Sequence, residues 1–109
     1  MENLIQIDKD NFEEEVINAS ETVILDFWGP SCMPCIALMP KVEELAVDYE
    51  GRVKFGKVNS AENRRLCISL KVMALPTFLS FKDGRETGRI SGQAITIEDV
   101  RAFAVEAAQ

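Results

Sequence analysis

The sequence predicts an α/β fold in which helices cover both faces of a mixed β-sheet. Strand-like and helix-like segments follow one another in the order β-α-β-α-β-α-β-β-α. Helices separate the early strands, which indicates parallel crossovers, whereas Asp83-Gly84 is a hairpin signal that makes the last two strands antiparallel. The length of 109 residues suits one domain, which we expect to span residues 1–109.

Two strands and one helix are predicted in the first quarter of the chain. Apolar residues alternate weakly over residues 4–7, which indicates a short edge strand. Asp10 and Glu13 have the spacing of a capping box, so we expect a helix through Phe12–Ile17 to begin there. Thr22–Trp28 is a continuous apolar run rich in β-branched residues and interrupted only by Asp26, which predicts a central strand buried on both faces.

A longer helix is predicted to begin near Cys32 and to stop at Gly51. Pro40 lies inside it, where proline removes one backbone hydrogen bond and bends a helix. The next strand is expected over Val53–Val58. The helix should turn one apolar face inward, made of Leu38, Val42, Leu45 and Tyr49.

The second half of the chain predicts two more helices around the hairpin. Ser60–Leu70 has helical spacing of its apolar residues, and strands are expected at Thr77–Phe81 and Glu86–Ser91. Thr96 and Asp99 have the spacing that caps a helix, so the last helix should begin there.

The composition excludes several classes of function. The net charge is −6, whereas nucleic-acid binding depends on clustered lysine and arginine, so no nucleic-acid partner is expected. The sequence has no histidine, which removes Ser–His and Cys–His catalysis and imidazole metal ligands. Cysteines, carboxylates and lysines must therefore carry any catalysis.

The sequence predicts neither a membrane segment nor a secretion signal. Residues 1–10 lack the basic and apolar regions of a signal peptide, and no apolar stretch approaches the roughly 20 residues of a spanning helix. We therefore expect the protein in the reducing cytoplasm. A close pair of cysteines is more often catalytic or metal-binding there than structural.

Cys32-Met33-Pro34-Cys35 carries the strongest chemical signal in the chain. It stands between a strand and a helix, so Cys32 should lie at a helix N-terminus, where unpaired N–H groups favour the thiolate. Cys35, one turn further on, can attack the Cys32 sulfur once that sulfur belongs to a mixed disulfide. Thiol–disulfide exchange needs this arrangement.

The alternative for this pair is half of a zinc or iron–sulfur site. A closed zinc site needs four ligands, and the only other cysteine, Cys67, is on a different predicted helix. We therefore expect no metal. Cys67 is expected to be a small buried residue. If it were exposed, Arg64 and Arg65 would favour its thiolate, making it a glutathionylation or dimerisation site.

Asp26 is the second chemical signal, because a carboxylate within a buried strand is costly and burial raises its pKa. Without other evidence, the simpler interpretation is that the Asp26 side chain faces a turn or solvent and has no function. Because the chain also contains the cysteine pair, a functional role is favoured for Asp26.

The ten residues from Asp26 to Cys35, DFWGPSCMPC, resemble the active-site segment of the thioredoxin family. The resemblance covers nearly the whole chain, and its set of motifs is far more specific than C-x-x-C alone. The other matches follow in the family's order: Pro40, Lys57, Leu75-Pro76-Thr77, Gly84 and Gly92. The resemblance implies a thioredoxin fold and a dithiol reductase that needs no cofactor.

The resemblance also implies roles for four residues at the redox centre. Cys32 would be the exposed nucleophile and Cys35 the buried resolving thiol. Asp26 would be the general base that takes the proton of Cys35. Lys57 would moderate the cost of the charge on Asp26.

A substrate-binding surface is implied around the cysteines. Leu75-Pro76 matches the family's cis-proline loop, so the Leu75 backbone would hydrogen-bond to an extended substrate segment, and Pro76 would block metal access. The other residues of this apolar surface would be Trp28, Pro30, Met33 and Gly92.

Three positions depart from the family pattern. Ser31 stands where thioredoxins usually have tryptophan, Met33 replaces the glycine between the cysteines, and Ala74 replaces a frequent glycine. These changes should alter the substrate-facing surface more than the electron chemistry. The segment around Ser31 resembles thioredoxins of strictly anaerobic, amino-acid-fermenting bacteria.

The sequence and the resemblance together predict a monomeric protein-disulfide reductase. Its partners would be disulfide-containing proteins and a thioredoxin reductase that recycles it. Two alternatives stay open: a dedicated electron donor to one partner reductase with weak general activity, which Ser31 and Met33 favour, and a non-catalytic docking subunit that uses the apolar surface.

Overall fold

The sheet has five strands, whose positions come from a computed structural model that describes residues 3–109. Residues 1–2 of the expected domain lie outside this described range. In chain order the strands are β1 Ile5–Gln6, β2 Thr22–Trp28, β3 Val53–Asn59, β4 Thr77–Lys82 and β5 Arg85–Ser91. Their order across the sheet is β1-β3-β2-β4-β5, with β1, β2 and β3 parallel and with β4 and β5 each antiparallel to the preceding neighbour. The predicted mixed sheet is confirmed.

Helices cover both faces of this sheet. The α-helices are α1 Met33–Asp48, α2 Arg64–Ser69 and α3 Ile97–Ala107. Alternate residues of β2 point to two separate apolar clusters, Ile24 to one that contains α1 and α3, and Leu25 to one that contains Cys67 of α2. Because both faces are buried, β2 is apolar at almost every position, as its sequence predicts.

The α1 helix is built as the sequence predicts. It begins at Met33, contains Pro40 and ends at Asp48, and Gly51 follows at a φ of +87° in the turn beyond it. A positive φ favours glycine, which explains the residue at this turn. The predicted inward face is buried: Leu38, Val42, Leu45 and Tyr49.

The first helical turn differs from the prediction. Asp8, not Asp10, caps this region, because the Asp8 Oδ1 atom accepts the N–H of Asp10 at 2.8 Å and that of Asn11 at 3.0 Å. The N–H of Asp10 is thereby taken, so the predicted capping box of Asp10 with Glu13 is wrong. The segment that follows, Glu13–Ile17, is a single π-helical turn.

The predicted helix over Ser60–Leu70 is divided in two. Ser60–Glu62 is a 3₁₀ turn and α2 begins only at Arg64. Between them, Asn63 leaves the helical region, since its side chain donates to the Asn59 carbonyl at 3.0 Å and accepts the N–H of Lys9 at 3.2 Å. Contacts with a distant segment therefore outweigh the local helical pattern.

The hairpin and the last helix are confirmed. Asp83 and Gly84 both have positive φ, 54° and 78°, as a tight two-residue turn between twisted strands requires. Thr96 and Asp99 form a reciprocal capping box at the start of α3. Among the described residues, no helix combines the length and apolar character that crossing a membrane requires.

Candidate active site

Cys32 and Cys35 form a disulfide at the N-terminus of α1, with 5.3 Å between their Cα atoms. Cys32 is the N-cap residue, and its Sγ atom accepts the N–H of Cys35 at 3.3 Å. Pro34 lies in the first turn, where its missing N–H costs the helix nothing. Cys32 is partly exposed, whereas Cys35 is only 1% exposed. The two sulfurs therefore differ in access to a partner.

Asp26 is buried in β2, and its carboxylate lacks hydrogen bonds within the described chain. Neither carboxylate oxygen has a hydrogen-bond partner within residues 3–109. Burial raises the pKa of Asp26 to about 7, and the positive charge of Lys57 partly opposes this rise. Lys57 lies opposite Asp26 in the parallel pairing of β2 with β3. Asp26 can therefore gain or lose a proton near neutral pH.

The loop before β4 contains the expected cis peptide bond, between Leu75 and Pro76. Gly92, at the end of β5, donates its N–H to the Pro76 carbonyl at 3.0 Å. Within the described part of the chain, the backbone of Leu75 makes no hydrogen bond. The N–H and the C=O of Leu75 are therefore left without a partner in the described fold.

A groove of about 690 Å³ opens beside Cys32. Of the residues predicted for the substrate surface, Pro30, Met33 and Leu75 line it, and Met33 is 71% exposed. Trp28, Pro76 and Gly92 do not line it. They lie next to lining residues in the chain: Trp28 is half-buried, Pro76 is buried and Gly92 bonds to Pro76.

The groove also contains residues that the sequence analysis did not assign to it. Ser60, Ala61 and Arg64 come from the segment after β3, and Gln93 comes from the turn after β5. No local motif marks these positions, because the groove is assembled from four segments that meet only in the folded chain. Arg64 is the first residue of α2, directly after the break at Asn63.

Two further observations bear on the cysteines. Cys67 is a free buried cysteine in α2, which confirms the prediction of a small buried residue. Over residues 3–109, no group of three or more cysteines, aspartates or glutamates is arranged to hold a metal ion. The Cys32–Cys35 disulfide itself makes these two cysteines redox partners.

The family model named Thioredoxin matches residues 3–105 of this chain. The chain belongs to the thioredoxin family. The thioredoxin of Peptoclostridium acidaminophilum is 44% identical over 100 residues, which cover 92% of this chain and 91% of that protein. The thioredoxin of Acetoanaerobium sticklandii is 38% identical over 100 residues, covering 92% and 95%.

The crystal structure of Malassezia sympodialis thioredoxin is similar in fold, with a TM-score of 0.88, 24% identity and coverage of 100% of this chain and 94% of that one. The fold is therefore the thioredoxin fold. With its family and its Cys32–Cys35 disulfide, this thioredoxin-family protein is a dithiol–disulfide oxidoreductase that acts on protein disulfides.

Proposed function

We propose that this protein works as a disulfide reductase in which Cys32 attacks and Cys35 resolves. The observation that carries the proposal is the unequal exposure of the two sulfurs at the N-terminus of α1. The Cys32 thiolate, stabilised by the helix N-terminus, attacks one substrate sulfur and the other leaves as a thiolate. The Cys35 thiolate then attacks Cys32, which releases the second substrate thiol. Two electrons and two protons pass to the substrate, and the Cys32–Cys35 disulfide forms.

Asp26 acts in the second step as the base for Cys35. A base must be unprotonated before the transfer and able to hold the proton after it, so a pKa of about 7 suits work near neutral pH. Lys57 is a positioning residue in this proposal, because its positive charge keeps part of the Asp26 population ionised despite burial. Both residues act on the buried thiol rather than on the substrate.

Substrate docks as an extended segment along the groove. The free N–H and C=O of Leu75 support this, since they can form two strand-like hydrogen bonds with a substrate backbone. Pro30 and Met33 supply apolar contact beside the disulfide. Trp28, Pro76 and Gly92 do not line the groove but lie next to its lining segments in the chain, and they belong to the same proposed docking region.

The cellular setting is part of the proposal. The family supports recycling by a reductase, which we take to be a thioredoxin reductase. The protein acts as a monomer in the cytoplasm, with residues 1–109 as one domain. An insulin-reduction assay with purified thioredoxin reductase tests the function directly. Reduction by the wild type but not by the Cys32→Ser/Cys35→Ser double variant supports the reductase. A wild type that reduces no insulin, together with a double variant that keeps the protein's function in the cell, would support a non-catalytic docking subunit.

A second function is favoured by the exposed Ser31 and Met33, namely electron donation to one dedicated partner. Ser31→Trp is the test, because it adds the large apolar anchor that is usual at this position in the family, and such anchors carry much of an interface's energy. For a dedicated donor, we expect faster insulin reduction and weaker transfer to the native partner, which a pull-down with Cys35→Ser would identify. The redox potential should hardly move, since both sulfurs keep their covalent neighbours. Equal rates of both proteins on every substrate would leave only the general reductase.

A further inference from the structure

Arg64 is the one cationic side chain among the described residues that line the active-site groove. The remaining lining is apolar or neutral, with hydroxyl and amide groups from Ser31, Ser60 and Gln93. The chain as a whole has a net charge of −6. A positive group beside Cys32 therefore opposes the overall sign of the protein, and it does so at the place where substrate docks.

The side chain of Arg64 is exposed and has no internal partner. It makes no hydrogen bond or ion pair within residues 3–109. Two other arginines, by contrast, have side-chain partners: Arg89 makes two hydrogen bonds to Glu86, and Arg52 lies 4.6 Å above the ring of Tyr49. An unengaged guanidinium keeps its capacity to bind a carboxylate through two parallel hydrogen bonds.

The backbone that carries Arg64 is held in place. The Asn63 side chain bonds to the Asn59 carbonyl and to the Lys9 N–H, and the Asn63 carbonyl accepts the N–H of Cys67 at 3.0 Å. Glu62 lies with Arg64 along a separate depression, not in the groove. The cation is thus presented to the groove from a fixed segment.

We propose that Arg64 selects substrates that carry aspartate or glutamate next to the cysteine that Cys32 attacks. The proposal rests on the proposed function, since it assumes attack by Cys32 within this groove. An acidic residue beside the substrate disulfide repels the approaching thiolate, and pairing with Arg64 offsets that repulsion. The same pairing holds the docked segment. The bonds made and broken are those of the exchange already described, so Arg64 changes selectivity rather than chemistry.

Matched disulfide peptides test the proposal. Three extended peptides would differ in one residue beside the attacked cysteine, which is Glu, Gln or Lys, and the readout is the ratio of second-order reduction rates. We expect the wild-type Glu-to-Gln ratio to fall about two- to five-fold in Arg64→Gln, the range for an exposed ion pair. Arg64→Lys should keep most of the preference, and Arg64→Glu should favour the Lys peptide. The preference should weaken as ionic strength rises.

Arg65→Gln is the matched control, because it removes the same charge one residue further along α2, at a position that does not line the groove. An equal fall in the ratio for Arg65→Gln, or no fall for Arg64→Gln, would overturn the selectivity proposal. Normal reduction of the Gln peptide in that case would leave the proposed function intact. Failure of the wild type to reduce the Gln peptide would overturn both.

Discussion

Replacing Cys32 with serine is expected to reduce protein-disulfide reduction to the background level, because the chain then has no accessible nucleophile. Replacing Cys35 with serine should stop turnover but still allow one attack, so that substrate stays bound to Cys32 in a stable mixed disulfide. The physical basis is the difference in exposure between the two sulfurs. Non-reducing electrophoresis and intact mass would show one substrate chain on Cys35→Ser and none on Cys32→Ser.

Both variants are best made with Cys67→Ala, because Cys67 is the remaining free thiol and could form an unintended disulfide once the protein unfolds. The Cys67→Ala protein alone serves as the reference for activity. If Cys32→Ser captured substrate and Cys35→Ser did not, the two roles would have to be exchanged. Capture by neither variant would remove the mixed-disulfide mechanism.

Asp26→Asn is expected to raise the stability of the protein by up to about 4 kcal/mol above pH 7, since a pKa difference of about three between folded and unfolded Asp26 corresponds to that energy. Asparagine keeps the shape of the side chain and removes the buried charge. The mixed-disulfide release step should slow more than the first attack, because the base for Cys35 is lost.

The stability difference between Asp26→Asn and the wild type should depend on pH. The folded pKa of Asp26, about 7, lies above its unfolded value near 3.8, so the wild type is favoured by a protonated Asp26 at low pH and loses that stability as the pH rises towards and through 7. The gain from Asp26→Asn should therefore be small near pH 4 and largest above pH 7. Urea unfolding of the oxidised proteins across this range would measure it.

Asp48→Asn provides the matched control, because Asp48 is exposed at the end of α1 and undergoes the same chemical change. It should alter stability little at any pH. A constant difference between wild type and Asp26→Asn from acid to alkaline pH would show that the Asp26 carboxyl is not the group responsible.

The parts of the fold that could be predicted from sequence are those decided by neighbours in the chain. The apolar run of β2, the Asp83-Gly84 turn and the Thr96–Asp99 capping box each depend on residues a few positions apart. The Asn63 break could not be predicted, because one of its bonds comes from Lys9, 54 residues earlier. The cap at Asp8 could not be predicted from sequence, because Asp10 has an equally good local pattern.

The same distinction applies to the site. The cysteines, Asp26 and Leu75 stand in recognisable local motifs, and the structure brings the disulfide and Leu75 to one groove. Arg64 and Gln93 belong to the groove only through tertiary packing, so no spacing in the sequence marks them. Trp28 belongs to the same local motif and ends the strand that leads into the groove. It is half-buried, and its indole N–H has no partner in the described residues, so its contact with substrate stays a prediction.

The edges of the sheet have a consequence for how the protein behaves at high concentration. One edge, β1, has only two residues. The other, β5, carries Arg85, Glu86 and Arg89, and it contains an extra residue, Thr87, where its register with β4 shifts at Ser80/Phe81. Short, charged and irregular edges are poor templates for adding a strand from another molecule. The two edges of the sheet therefore give another chain little opportunity to add a strand, which should limit association at high concentration.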